Sequence, residues 1–263
     1  MNIILIQPDE ISDGEVFLSD RRARHIHKVL KSRVGDSLRI GIIGGQQGRG
    51  FIREINPQGV IIQIDCPLPS PAKTAPDLIL AIPRPIMLKR VLAQAAAMGV
   101  ARIMLINARR VEKSFFHSSQ LEPQRIIEAL LQGLEQAGDT LLPQVTIHPR
   151  FRPFIEDEFS PMASNYPIRL LAHPDVIEEP HHTFGRSARL MYTEYTAPGC
   201  APTQEPAPTQ VSVRKVLAIG PEGGWVDFEV QAFKHQGFSP FSLGPRILRV
   251  DCAVPALLAL NSW

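Results

Sequence analysis

Two phrases, Ile219-Gly220-Pro221-Glu222-Gly223-Gly224 and, 24 residues on, Leu243-Gly244-Pro245-Arg246-Ile247-Leu248-Arg249, decide how this chain is read. Each follows a short apolar run, Val216 to Ile219 and Phe241 to Leu243. Each precedes a segment of helical periodicity, from about Asp227 to His235 and from about Asp251 to Leu260. A strand that ends in Gly-Pro turns sharply and brings bare backbone up to a ligand, because glycine has no β-carbon to obstruct the approach. In parallel α/β sheets ligands lie beyond the carboxyl ends of strands, so the two phrases are expected to line one cleft from two sides. A single Gly-Pro reads as a tight turn and nothing more. The doubling, together with Glu222, favours a binding site.

Upstream, the rhythm is strand, helix, strand. Leu78 to Ile82 is an apolar run, Met87 to Met98 has helical periodicity ending at Gly99, and Arg102 to Ile106 is a buried-strand candidate. A helix from about Pro123 to Gln136 and strands around Val145 to Ile147 and Arg169 to Ala172 follow. Such alternation predicts a mainly parallel sheet covered by helices on both faces. Residues 175–212 break it and contain Pro198, Pro202, Pro206 and Pro208, so a mobile insertion is expected there. Before residue 72 the pattern differs. Asn2 to Ile6, Glu15 to Leu18, Ser37 to Ile43, Arg49 to Ile55 and Val60 to Cys66 read as short strands around one helix, which suggests a small barrel. The glycines from Gly41 to Gly50 read as a hairpin turn and not a nucleotide loop, because a strand and no helix follows them. Pro67 to Pro76 reads as a stiff linker, giving domains at 1–72 and 73–263.

The 263 residues, 44% hydrophobic and 21% charged, suffice for a real core and exclude wholesale disorder. The longest apolar stretch, Ala253 to Leu260, is too short for a membrane span, and no leader pattern precedes Ile3 to Ile6. Cys66, Cys200 and Cys252 are scattered without a C-x-x-C, so neither a disulfide framework nor a zinc knuckle is supported, and a cytoplasmic location is expected. No G-x-x-x-x-G-K-[ST], H-E-x-x-H or G-x-S-x-G is present, and no metal is assigned. The net charge of +2 conceals an asymmetry. Residues 1–113 hold 17 Lys+Arg against 10 Asp+Glu, net +7, and residues 114–263 hold 11 against 16, net −5. The densest cluster is Arg21, Arg22, Arg24, Lys28, Lys31 and Arg33, with no acid between Asp20 and Asp36. Ala23, Ile26, Val29 and Leu30 trace an apolar stripe that would leave these cations outside. A solvated helix face is one reading. Six unpaired like charges repel one another, so a polyanionic partner is the better one.

Taken together, the two Gly-Pro phrases resemble the GPEGG and LGPRILR signatures of the RsmE-like family of SPOUT-class methyltransferases, which methylate N3 of a uridine in small-subunit 16S ribosomal RNA. His25-Ile26-His27-Lys28-Val29-Leu30 with Val34-Gly35-Asp36 resembles that family's basic helix and VGD turn. Met98-Gly99-Val100 resembles its E-L-G-V, Glu135-Gln136 its E-Q helix end, and Leu171-Ala172-His173-Pro174 the first of three cofactor loops. The order matches along nearly the whole chain. Three departures stand out. Arg249-Val250-Asp251-Cys252 replaces R-T-E-T, Met98 replaces a glutamate, and Ala137-Gly138-Asp139 lacks the arginine of E-Q-x-G-R.

The resemblance implies a PUA-like β-barrel followed by a SPOUT α/β domain with a C-terminal trefoil knot, a homodimer, and S-adenosylmethionine as cofactor. It implies cofactor contacts at Leu171, Ala172 and His173, at Ile219, Gly220, Pro221, Glu222, Gly223 and Gly224, and at Leu243, Gly244, Ile247 and Leu248. Neutral uracil N3 carries a proton, so an arginine at a carbonyl and a carboxylate or water as proton acceptor are needed. Arg249 and Asp251 are the candidates, with an ion pair and a helix N-cap as their plainer roles. Arg246 is expected to position RNA phosphate or brace its loop. The six N-terminal cations are expected to bind RNA. The C-terminal helix, Asp251 to Trp263, is expected at the dimer interface, from which a partner subunit would bring Arg109 or Arg110 to the RNA cleft. Another RNA target, or a catalytically silent RNA-binding relative, is the alternative.

Overall fold

The structure, a computed structural model, describes residues 2–173, 214–244 and 246–261. The insertion expected at 175–212, Pro245 and Trp263 lie outside them. Two compact units emerge, one of residues 1–73, 84–102 and 117–144, the other of residues 74–83, 103–116 and 145–263.

The first unit carries a curled six-stranded sheet in the order β1-β4-β5-β6-β3-β2. Its strands are β1 (Ile4–Ile6), β2 (Ile11–Ser12), β3 (Glu15–Leu18), β4 (Ser37–Ile42), β5 (Gln47–Asn56) and β6 (Gly59–Leu68). Neighbours run antiparallel except β1 and β4, which are parallel. Alternation puts Val16, Leu18, Ile40, Ile52, Val60 and Ile62 inside with Ile4, Ile6 and Ile26. The Gly41 to Gly50 region is the β4–β5 hairpin. Asp20 caps the Arg21–His25 helix by accepting the Arg22 N–H at 2.8 Å, and the chain continues as a π-helical turn over Ile26–Leu30. That wider turn rotates the end of the segment away from the core. Ala23 and Ile26 are buried as expected, but Val29 and Leu30 are exposed. The Pro85–Ala97 and Pro123–Ala137 helices pack on each other in this unit. The proline-rich linker is pinned within it, since Asp139 accepts from Lys73 Nζ at 2.6 Å and from Ser70 Oγ at 3.1 Å.

The second unit carries a sheet in the order β12-β10-β11-β7-β8-β9. Its strands are β7 (Asp77–Ala81), β8 (Arg102–Ile106), β9 (Gln144–His148), β10 (Ile168–Ala172), β11 (Lys215–Ile219) and β12 (Ser239–Phe241). The pairs β7–β8, β7–β11, β10–β11 and β10–β12 are all parallel. Leu78, Ile79, Leu80 and Ala81 of β7 are fully buried, the continuous apolar run of a central parallel strand. β12 ends at Phe241, the first residue of the run Phe241 to Leu243 expected to form it. Pro240 has no N–H, and the outermost position beside β10 tolerates that, leaving residues 242–244 as loop. Rings of Phe151, Phe159, Trp225, Phe233 and Phe238 pack in a chain of contacts with centroids 4.9–6.5 Å apart. Buried Asp77 accepts from the Tyr166 hydroxyl at 2.7 Å and from Arg214 at 3.1 Å. The helices Asp227–His235 and Val250–Asn261 complete the described part of the unit.

Candidate active site

The carboxyl ends of β10, β11 and β12 lie side by side, and a cleft opens beyond them. Its lining includes Ala172 at the end of β10 and His173 after it, Ile219 at the end of β11 with Gly220 to Trp225, and Phe241 at the end of β12 with Ser242 and Leu243. Arg246, Ile247 and Leu248 of the second phrase, Val250, Ala253 and Leu257 of the helix that follows, and Arg110 complete it. Its volume is about 270 Å³, near the lower end of the ~300–1,000 Å³ usual for small-molecule sites. The register explains the convergence. Leu171 pairs with Ala218 and with Pro240, so the last residues of three neighbouring strands end at one level.

The glycines of the first phrase are needed for different reasons. A β-carbon on Gly220 would stand 3.1 Å from Trp225 Nε1 and Cε2, so this residue is glycine because the indole of Trp225 packs on it. Gly224 has φ +74° and donates its N–H to the Pro221 carbonyl at 2.8 Å, closing the turn. Trp225 is buried, and its Nε1 is without a hydrogen-bond partner, an apolar floor for the cleft.

The cleft therefore gathers Ala172, His173, Ile219, Gly220, Pro221, Glu222, Gly223, Gly224, Leu243, Ile247 and Leu248 from the expected cofactor set. Leu171 is fully buried in β10 and Gly244, at φ +108°, lies in the following turn; neither is in the lining. Arg246 faces the cleft. Arg249 and Asp251 flank it without lining it. The Arg249 side chain is 82% exposed and that of Asp251 3%, with Arg249 Nε 3.8 Å from Asp251 Oδ1, a loose ion pair. The helix begins at Val250, and Arg249 stands at the capping position. Its carbonyl accepts from the N–H groups of Cys252 and Ala253. Asp251 is thus inside the first turn and not the N-cap.

Arg110 and Trp225 were not legible as lining residues. Arg110 follows β8 and donates from Nη1 to the Gly223 carbonyl of its own chain, so it needs no partner subunit to reach this cleft. The signal available was positional, since its loop also leaves the carboxyl end of a strand of this sheet. Apolar side chains that include Ile219, Trp225, Leu243, Ile247, Leu248 and Leu257, beside Arg110, His173, Glu222, Ser242 and Arg246, suit a ligand with a flat apolar ring and a charged polar tail.

Residues 70–262 match the family described as RNA methyltransferase domain. The chain belongs to that family. Among similar proteins, ribosomal RNA small subunit methyltransferase E of Treponema pallidum (strain Nichols) is 28% identical over 273 residues, covering 100% of this chain and 92% of that protein. Ribosomal RNA small subunit methyltransferase E 1 of Borreliella burgdorferi is 25% identical over 259 residues, covering 97% and 95%. The fold matches the crystal structure of a ribosomal RNA small subunit methyltransferase E from Neisseria gonorrhoeae bound to S-adenosyl methionine. The TM-score is 0.69 at 21% identity, covering 98% of this chain and 95% of that one. The family match spans all three strand ends that form the cleft.

In the first unit the basic cluster is not the set of six free cations expected. Arg22 donates to Glu10, to Asp20 and to the Leu5 carbonyl, and its side chain is only 11% exposed. Arg21 donates from Nη1 to Glu135 Oε2 at 3.0 Å. Glu10 and Glu135 lie outside residues 20–36, so the acid-free stretch between Asp20 and Asp36 carries no sign of them. The Arg22 hydrogen bond holds the Glu10 carboxyl below the usual carboxylate range. Burial opposes ionisation of Asp20, but its hydrogen bonds from Arg22 win and lower its pKa too. Glu135 raises that of Arg21. Arg24, Lys28, Lys31 and Arg33 remain as the part of the cluster not engaged by these carboxylates, next to exposed Val29, Leu30 and Val34.

Proposed function

We propose that this protein transfers a methyl group from S-adenosylmethionine to N3 of a uridine in small-subunit 16S ribosomal RNA, in the cytoplasm. The observation that carries the reading is the convergence of both Gly-Pro phrases with the end of β10 on one ligand-sized cleft, in a chain of the RNA methyltransferase domain family. The names of the similar proteins support ribosomal RNA as substrate, and the bound ligand of the Neisseria structure supports the cofactor. The apolar wall from Leu243 to Leu257 would hold adenine, and Glu222 would balance the cations Arg110 and Arg246.

When bound, the cofactor supplies an electrophilic methyl group on a sulfonium. The chain's part is to orient the uracil and remove the N3 proton. Arg249, exposed at the mouth, would meet a uracil carbonyl and stabilise the negative charge that develops as the proton leaves. Asp251, or a water it orients, would accept that proton. In this reading residues 1–72 are a PUA-like barrel that binds RNA through Arg24, Lys28, Lys31 and Arg33. Residues 73–263 are the SPOUT domain with its C-terminal trefoil knot. A homodimer is part of the reading, although Leu257 and Leu258 are buried within their own unit, leaving Leu260 as the described leucine available to a partner.

Nucleoside mass spectrometry of 16S RNA from cells with and without the gene tests the reading. N3-methyluridine should be present with the gene and lost without it. Unchanged N3-methyluridine would point to another RNA target or to a silent RNA-binding protein, the reading favoured by the departures at Val250, Asp251 and Cys252.

A further inference from the structure

Arg110 lies outside both Gly-Pro phrases yet holds the first of them. We propose that Arg110 is a positioning residue that latches the Gly220–Gly224 loop into the shape that receives the cofactor, and that Glu229 fixes the segment from which it reaches. The proposal rests on the methyltransferase reading above and adds to it two residues that neither signature phrase contains.

Three contacts carry it. The Arg110 guanidinium donates through Nη1 to the carbonyl of Gly223. Its aliphatic stem lies along the same residue: a β-carbon on Gly223 would stand 3.0 Å from Arg110 Cδ and 3.2 Å from its Cβ. Glu229 is fully buried, and its two carboxylate oxygens accept two backbone N–H groups, that of Arg109 at 2.7 Å and that of Val226 at 3.0 Å. One carboxylate thus ties the loop after β8 to the residues just beyond the Gly-Pro phrase. Charge-assisted hydrogen bonds of this kind are about twice as strong as neutral ones, and a buried carboxylate that loses a donor is costly. Glycine-rich loops otherwise lie at the low-stability end of a structure. Fixing the loop before the ligand arrives removes an ordering cost that binding would otherwise bear. Arg110 also lines the cleft, so it acts where the ligand sits.

The test is a double-mutant cycle read by calorimetric titration with S-adenosylmethionine. Arg110→Ala should weaken binding about tenfold, the loss expected for one charge-assisted hydrogen bond, and Gly223→Ala, whose β-carbon would push the Arg110 stem away from the carbonyl it donates to, should weaken it by up to the same factor. The double variant should be no weaker than the poorer single, because the β-carbon added at Gly223 acts by displacing the Arg110 stem, which Arg110→Ala has already removed. Hydrogen exchange in cofactor-free protein gives a second readout. The Gly224 amide should exchange faster in Arg110→Ala, and also in Glu229→Gln, which keeps the volume of Glu229 but replaces one acceptor with an NH₂ group. Wild-type affinity and wild-type exchange in Arg110→Ala would overturn the latch, as would losses that multiply in the double variant. A wild-type protein that fails to bind the cofactor while the exchange changes occur would instead sink the methyltransferase reading and uphold the latch.

Discussion

Arg22 engages Glu10, Asp20 and the Leu5 carbonyl, and this makes it a structural residue in a segment whose charge reads as nucleic-acid binding. Arg22→Ala should destabilise the protein by about 2 kcal/mol, since lost charge-assisted hydrogen bonds cost ~1.5–3 kcal/mol. Both carboxyls have folded pKa values below their ordinary 4.5 and 3.8. A lowered folded value means stability that is complete above the unfolded value and is lost as pH falls through the folded one. Acid titration of the unfolding midpoint should therefore show a decline that sets in as pH falls through the ordinary carboxylate range and continues below it, and that is shallower in Arg22→Ala. An identical slope in both proteins would remove Glu10 and Asp20 as its source. At the cleft, Gly220→Val should abolish S-adenosylmethionine binding in calorimetry, because the new side chain meets Trp225 and forces the loop out of place. Undiminished affinity in the folded variant would remove this loop from the site. Arg249→Ala should keep cofactor affinity and lose about a hundredfold or more in methyl transfer, the scale of one transition-state donor. Unchanged turnover would dismiss Arg249.

Strand and helix positions were largely legible because each carries its own period. Glu15–Leu18, Arg102–Ile106 and Asp227–His235 have the bounds read from the sequence. What failed was non-local or lacked a period. The helical segment over residues 151–165 mixes aromatic and acidic residues in short turns, and β12 is displaced by Pro240 at an edge. Glu135 at Arg21 and Glu10 at Arg22 come from other elements, and so does Arg110 at Gly223, which no local pattern could announce. The cleft itself was legible through doubled glycine phrases at strand ends, although Gly220 answers to Trp225 and not directly to a ligand. For the basic segment the consequence is specific. Replacing Arg24, Lys28 and Lys31 together should weaken RNA binding and flatten its dependence on salt, by about 0.7 to 0.9 in log–log slope per lost phosphate contact, with cofactor affinity unchanged. An unaltered slope would return these residues to the role of a solvated face.

The whole molecule has one unit with a curled sheet and a short helical segment bearing the cations, and another whose parallel strand ends form a small-molecule cleft, in a chain of the RNA methyltransferase domain family. Dimerisation belongs at this scale. Sedimentation at micromolar concentration should give a dimer, and a monomer that still methylates RNA would defeat both the interface and any need for a partner. The most direct test of the central claim uses purified protein, methyl-labelled S-adenosylmethionine and small-subunit RNA from cells lacking the gene, followed by nucleoside analysis. Label is expected in N3-methyluridine alone. Label in a different nucleoside, or none with cofactor demonstrably bound, would contradict it.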